Sequence, residues 1–121
     1  MTAKPTIIDF VEKYTRQFAS HVFLREKPAD RWTETTFEQT RLEAYRVAAG
    51  LMALGINKGD KVSLLSEGRN MWVIGELGIL YAGGVNVPLS IKLDEGSDLV
   101  FRITHSDSRF VMVSGTQLPK V

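Results

Sequence analysis

Three short runs of β-formers, separated by helical segments, constrain this chain more than any other feature. Lys61-Val62-Ser63-Leu64-Leu65, Val85-Asn86-Val87-Pro88-Leu89 and Phe110-Val111-Met112-Val113 each have the length and residue types of one strand. Residues 70–82 lie between the first two. They are apolar almost all round, with Trp72, Val73, Ile74, Leu77, Leu80 and Tyr81, which predicts a buried helix. Residues 94–106 carry Leu99, Val100 and Ile103 on one side and predict a second helix. This alternation, with short links, predicts a doubly wound α/β arrangement of about three parallel strands with helices on its faces. Such a sheet is incomplete, and an open edge recruits another strand.

Upstream, the period changes. In residues 6–19, Ile7, Ile8, Phe10, Val11, Tyr14 and Phe18 recur at helical spacing, with Asp9, Glu12, Lys13 and Arg16 on the other face. A helix packed on its own domain is expected; a membrane-surface helix would want a more basic polar face. Val22–Glu26 and Arg31–Thr35 read as the strands of a hairpin turned by Lys27-Pro28-Ala29-Asp30. Thr36 and Gln39 then have the spacing of a capping box. They open a helix whose apolar face is read as Leu42, Tyr45, Ala49 and Met52, broadened by Ala44, Ala48 and Leu51. Gly55 is its stop. The expected organisation is one partial domain over 1–121: a helix within 1–20, a hairpin in 21–36, and alternating helices and strands over 37–121.

Charge and composition remove several function classes. Residues 1–60 carry nine basic and eight acidic groups and residues 61–121 carry six of each, so no basic face is forced and nucleic acid is not an expected partner. Cysteine is absent, which excludes disulfides, thiolate metal sites and a cysteine nucleophile. The longest uncharged run, Leu77–Ile91, is shorter than the ~20 residues of a membrane span and contains Pro88. No apolar targeting segment is seen at the N-terminus, and a cytoplasmic location is expected.

Each chemical motif has a plainer structural explanation. The loop Ser66-Glu67-Gly68-Arg69-Asn70 follows the first parallel strand, where α/β folds bind phosphates, but it meets neither GxGxxG nor GxxxxGK[ST]. It reads as a connector, with Arg69 solvated. Gly83-Gly84 reads as a helix stop. His21 and His105 lack a metal-ligand partner at i+3 or i+4. Ser106-Asp107-Ser108 reads as a helix exit. Asp98 and Asp107 could lie near Asp94 and Glu95, but complementarity to the start of the helix over 94–106 explains that pair without a site, and Lys92 reads as solvated. No catalytic, cofactor-binding or metal-binding residue is assigned.

Taken in order, the segments do resemble a known family. They are Trp32-Thr33-Glu34-Thr35-Thr36-Phe37, Ala48-Ala49-Gly50-Leu51 through Gly55-Ile56, Lys58-Gly59-Asp60-Lys61-Val62, Asn70-Met71-Trp72, and Ile79-Leu80-Tyr81-Ala82-Gly83-Gly84-Val85-Asn86-Val87-Pro88-Leu89. This order is similar to the N-terminal end of the adenylate-forming (AMP-binding) enzymes, closest in flavour to long-chain fatty-acid–CoA ligases. The resemblance runs from about residue 20 onward.

The resemblance implies an enzyme that joins a fatty acid to ATP as an acyl-adenylate and then to CoA, using Mg2+. It implies that the family's phosphate loop, nucleotide motifs, hinge acid and catalytic lysine lie outside these residues, since Ser114-Gly115-Thr116 lacks the rest of a phosphate loop. The chain alone is therefore expected to be inactive and to bind no cofactor itself. Its expected partner is the remainder of the ligase or a second copy of itself, with peripheral membrane contact in the full enzyme. The end at Pro119-Lys120-Val121 fits a fragment. The alternative is a small α/β module that self-associates or pairs with a partner through its open sheet edge. An unrelated small α/β enzyme would need a polar pocket that the sequence does not assemble.

Overall fold

The computed structural model describes residues 4–94 and 96–121. The elements run α1 (Ile7–Phe18), β1 (Val22–Glu26), β2 (Thr33–Thr36), α2 (Phe37–Ala53), β3 (Lys61–Leu65), α3 (Asn70–Tyr81), β4 (Val85–Leu89), α4 (Ser97–His105), β5 (Ser108–Val113) and a closing 3-10 turn, Leu118–Lys120. β1 and β2 form a separate antiparallel pair. β4, β3 and β5 form a parallel sheet in that order. The mixed α/β architecture and the three parallel strands are those read from the sequence.

Strand alternation sorts the core into two layers. Val62, Phe110 and Met112 meet Ala48, Leu51, Ile79 and Ala82, so α2 and α3 cover one face of the sheet. Leu65, Val87, Leu89 and Val113 meet Leu99 and Ile103 of α4 on the other face. α1 lies outside the first layer, where Val11 and Ile8 pack with Ala44, Leu77 and Val73. α3 is thus enclosed by the sheet, α2 and α1, which is why its sequence is apolar on every side.

The capping box forms as expected. Gln39 N–H donates to Thr36 Oγ1 at 3.1 Å and Thr36 N–H to Gln39 Oε1 at 2.9 Å. Thr6 and Asp9 make a second box at the start of α1, at 3.2 and 2.8 Å. The signal was visible as Thr6-Ile7-Ile8-Asp9, with aspartate in place of the usual glutamate. Gly55, at φ 92°, ends α2 in the left-handed conformation.

The apolar face of α2 differs from the expected one. Thr40, Ala44, Ala48 and Leu51 are buried, while Leu42, Tyr45, Ala49 and Met52 are exposed. The reason is the neighbour. A Cβ added at Gly78 of α3 would sit 2.4 Å from Val47 Cγ1 and 3.1 Å from Ala44 O. Two backbones that close can meet only through small residues, so the alanine line faces α3 and the larger residues turn outward.

α1 is rotated as well. Val11 and Thr15 are buried, Ile7, Phe10 and Tyr14 are exposed, and Glu12, read as part of the solvated face, points inward.

Three boundaries also move. α4 begins at Ser97 rather than 94, because Gly96 at φ 133° interrupts the chain there. Asp94 therefore precedes the helix, Asp98 supplies the acid of its first turn, and Glu95 lies outside the described residues. β5 starts at Ser108, two residues early, after a turn at Asp107 (φ 59°). β2 ends on Thr36, so one residue closes the strand and caps α2.

Candidate functional site at the carboxyl end of the parallel sheet

Open α/β sheets bind ligands at the carboxyl ends of their strands. Here that end is built by the loop 66–69 after β3 and the segment 114–117 after β5. Glu67 ties the two together. Its Oε2 accepts from Ser114 Oγ at 2.7 Å, and its Oε1 accepts from Gln117 Nε2 at 3.2 Å. The Arg69 guanidinium lies 3.5 Å from Oε2. The Ser114 hydroxyl, the backbone N–H of Glu67 itself and the Gln117 amide hold this carboxyl at about 2, with the Arg69 charge adding to them. Gln117 is buried, and its Oε1 has no donor.

Two clefts flank this knot. One of about 150 Å³ lies between Leu64, Met112, Gly75 and Met71, with Ser66, Arg69 and Ser114 at its polar side. The other, about 400 Å³, lies between Glu26, Lys27 and Pro28 of the hairpin and Glu67, Gly68 and Arg69. An ionised carboxylate in the loop disfavours a bound phosphate, and Gly68 is the loop's only glycine, so these residues do not fit a nucleotide-phosphate cradle. Among the described residues, no group of three His, Asp or Glu side chains is placed to hold a metal ion. Arg69, expected to be solvated, is half-exposed and paired with Glu67.

A second polar cluster joins α1, α2 and α3. Glu12 Oε1 accepts from Arg41 Nε at 2.8 Å, Tyr45 OH at 2.9 Å and Tyr81 OH at 2.6 Å. Arg41 also donates to Tyr45 OH at 2.6 Å, and the two tyrosine rings meet edge to face at 4.8 Å. The Arg41 guanidinium, with the tyrosine hydroxyls, holds Glu12 at about 2 despite partial burial. Burial and the Glu12 charge push Tyr81 and Tyr45 up, so both stay protonated donors. This cluster fastens α1 to α2 and α3. Sequence spacing gave no sign of it, because Glu12 lies 29 to 69 positions from its partners.

The remaining candidates are committed to the framework. The His21 ring lies against Phe18 and the His105 ring stacks on Phe101. Ser106 Oγ bonds Ile103 O at 3.0 Å and Ser108 Oγ at 2.7 Å, and Ser63 Oγ bonds Ser108 Oγ at 2.6 Å. These hydroxyls fasten the exit of α4 to the sheet, and no Ser–His–Asp set is assembled from them. At Gly84 an added Cβ would meet Ile56, Ile79 and Asp60 O at 3.0–3.2 Å. Gly83 O accepts from Gly59 N–H at 2.8 Å. The pair is a close-packed re-entry into β4.

The family model for the AMP-binding enzymes matches residues 11–121, nearly the whole chain. The chain belongs to the AMP-binding enzyme family. Among its relatives is a 4-hydroxybutyrate–CoA ligase of Metallosphaera sedula, 36% identical over 83 residues, covering 69% of this chain and 14% of the relative. Another is a long-chain-fatty-acid–CoA ligase, FadD15, of Mycobacterium bovis, 36% identical over 58 residues, covering 48% of this chain and 10% of the relative. Among solved structures, the anthranilate CoA ligase AuaEII, in complex with anthranoyl-AMP, superposes on 100% of this chain and 22% of its own, with a TM-score of 0.89 at 26% identity. The chain thus spans a small part of the length of the relatives it matches. Over the matched region of this chain, Glu12 and Glu67 are each tied to side chains of other elements.

Proposed function

We propose that this chain is the N-terminal framework of a ligase that activates a carboxylic acid for transfer to CoA, with long-chain fatty acids as the substrate class. In that reaction the carboxylate attacks the α-phosphate of ATP and pyrophosphate leaves. The CoA thiolate then attacks the acyl carbonyl and AMP leaves. ATP, Mg2+ and CoA are handled by the rest of such an enzyme. The residues described here supply the strands and helices on which it is built.

The observation that carries this reading is the family match over residues 11–121. It is joined to a site in which the Glu67 carboxylate already accepts from Ser114 and Gln117. The fatty-acid class rests on relatives named as long-chain-fatty-acid–CoA ligase and fatty acyl-CoA synthetase.

The test is ATP–pyrophosphate exchange. The 121-residue chain alone is expected to give none with any acid, and fatty-acid-dependent exchange would overturn the framework role. A chimera carrying this chain in place of the matching segment of a long-chain ligase is expected to retain exchange with long-chain fatty acids. A folded chimera without exchange would count against the proposed assignment.

A further inference from the structure

We infer that residues 114–120 are a strap across the carboxyl end of the parallel sheet, holding the loops after β3 and β4 at a fixed spacing.

The topology says where such a closure matters. β3 leads into α3, which covers one face of the sheet, and β4 leads into α4, which covers the other. The two strands are neighbours. Their connections therefore part in opposite directions and leave a crevice between the loops 66–69 and 90–93. A crevice of this kind is where an open α/β sheet takes a ligand.

Residues 114–120 cross it. β5 lies on the far side of β3 from β4. Neighbouring strands are about 4.8 Å apart, so the chain leaving β5 travels about 10 Å over the end of β3 to reach the loop after β4. It makes the crossing in two steps. Beside β3, Ser114 Oγ and Gln117 Nε2 donate to the two oxygens of Glu67 at 2.7 and 3.2 Å. Beyond β3, Lys120 Nζ donates to Ile91 O at 2.8 Å and to Leu93 O at 3.0 Å.

The segment between these anchors is stiff. Gln117 N–H and Leu118 N–H both donate to Ser114 O, at 3.0 and 2.9 Å, and Lys120 N–H donates to Gln117 O at 3.0 Å. Pro119 fixes one backbone angle within it. Gln117 is only 8% exposed, so the strap is packed down on the molecule rather than standing in solvent.

Both anchors are charge-assisted. Glu67 is held as a carboxylate and accepts from the strap. Lys120 brings an ammonium to two carbonyls of a turn whose own amides are already used: Lys92 N–H donates to Ser90 Oγ and Leu93 N–H to Ser90 O, both at 3.1 Å. The spacing of the two loops thus depends on both anchors together, and loss of either one releases it.

The test is the distance between the loops in the full 121-residue chain. Cysteine is absent, so nitroxide labels on Gly68→Cys and Lys92→Cys report without background. An added Cβ at Gly68 meets nothing within 4 Å, and Lys92 is exposed. Dipolar electron paramagnetic resonance should give a narrow distance distribution in the labelled parent. Lys120→Met and Glu67→Gln should each broaden it, and the double variant should be no broader than the broader single one. Circular dichroism checks that each variant is folded. In unlabelled Lys120→Met, hydrogen exchange at the Lys92 and Leu93 amides should quicken several-fold while the Ser63 and Leu64 amides of β3 stay slow. A distribution unchanged in both single variants overturns the proposal, as does unchanged exchange at Lys92 and Leu93. Broadening by only one variant, or a double variant that adds the two effects, also overturns it and leaves two separate contacts in place of a strap.

Discussion

Tyr81, the last residue of α3, donates its hydroxyl at 2.6 Å to Glu12 of α1, 69 positions earlier. With Arg41 and Tyr45 of α2 aimed at the same carboxylate oxygen, this contact makes one ionised group the anchor of three helices.

Glu12→Gln is expected to lower folding stability by about 1–2 kcal/mol, the scale of hydrogen bonds to a charged acceptor reduced for partial exposure. The pH dependence has a definite sign. The carboxyl is depressed from 4.5 to about 2, so its contribution is complete above the ordinary carboxylate range and lost as pH falls toward the folded value. Urea midpoints of the parent and the variant should converge on acidification below pH 4.5. A gap that stays constant down to about 2 would show that Glu12 acts through packing rather than charge.

Two glycine substitutions should move in opposite directions. Gly78→Ala forces a methyl onto Val47 and Ala44 O and should destabilise by about 1–3 kcal/mol, the cost of overpacking. Gly50→Ala meets nothing within 4 Å in an exposed stretch of α2 and should stabilise by about 0.5–1 kcal/mol. Adding Val47→Ala to Gly78→Ala should recover only part of the loss, because the Ala44 carbonyl remains. Thermal denaturation of the set decides it, and a neutral Gly78→Ala would contradict the close approach of α2 and α3.

Thr36→Ala removes the hydroxyl that caps α2 and should cost about 1 kcal/mol, whereas Thr36→Asp or Thr36→Asn should cost little. Circular dichroism during chemical denaturation gives the comparison. Equal losses for all three would locate the importance of Thr36 in the hairpin instead.

Glu67→Gln should loosen the segment 114–121 selectively. The depressed carboxyl means that its contribution is present above the normal range and lost as pH falls toward about 2. Hydrogen exchange at Ser114, Gln117 and Leu118 should quicken in the variant at neutral pH and in the parent on acidification. The amides of α2 should be unaffected. Uniform acceleration across the chain would refute a local knot.

The elements were legible because their signals are local. Thr36 and Gln39 are three residues apart, Gly55 stops a helix, and the strand runs have their own residue types. Which face of a helix turns inward was not legible. Tyr45 and Ala44 are both apolar at α2 spacings, and only Gly78, thirty-four positions later, selects Ala44. Glu12 was misplaced for the same reason, since its partners belong to other helices. At the candidate site, Glu67 looked like an ordinary loop acid. Its role depends on Ser114 and Gln117, which the pairing of β5 with β3 brings beside it from about fifty positions away.

The β3–β5 pair is pinned at both ends. Near the amino end, Arg109 donates to Asp60 Oδ2 and Gly55 O, both at 2.7 Å. At the carboxyl end, Ser114 and Gln117 hold Glu67. A strand fastened in this way does not fray. The conformational entropy of straightening β5 is already lost on folding, so whatever lies along it orders only itself. The same pinning makes β5 a preformed, stiffly held strand.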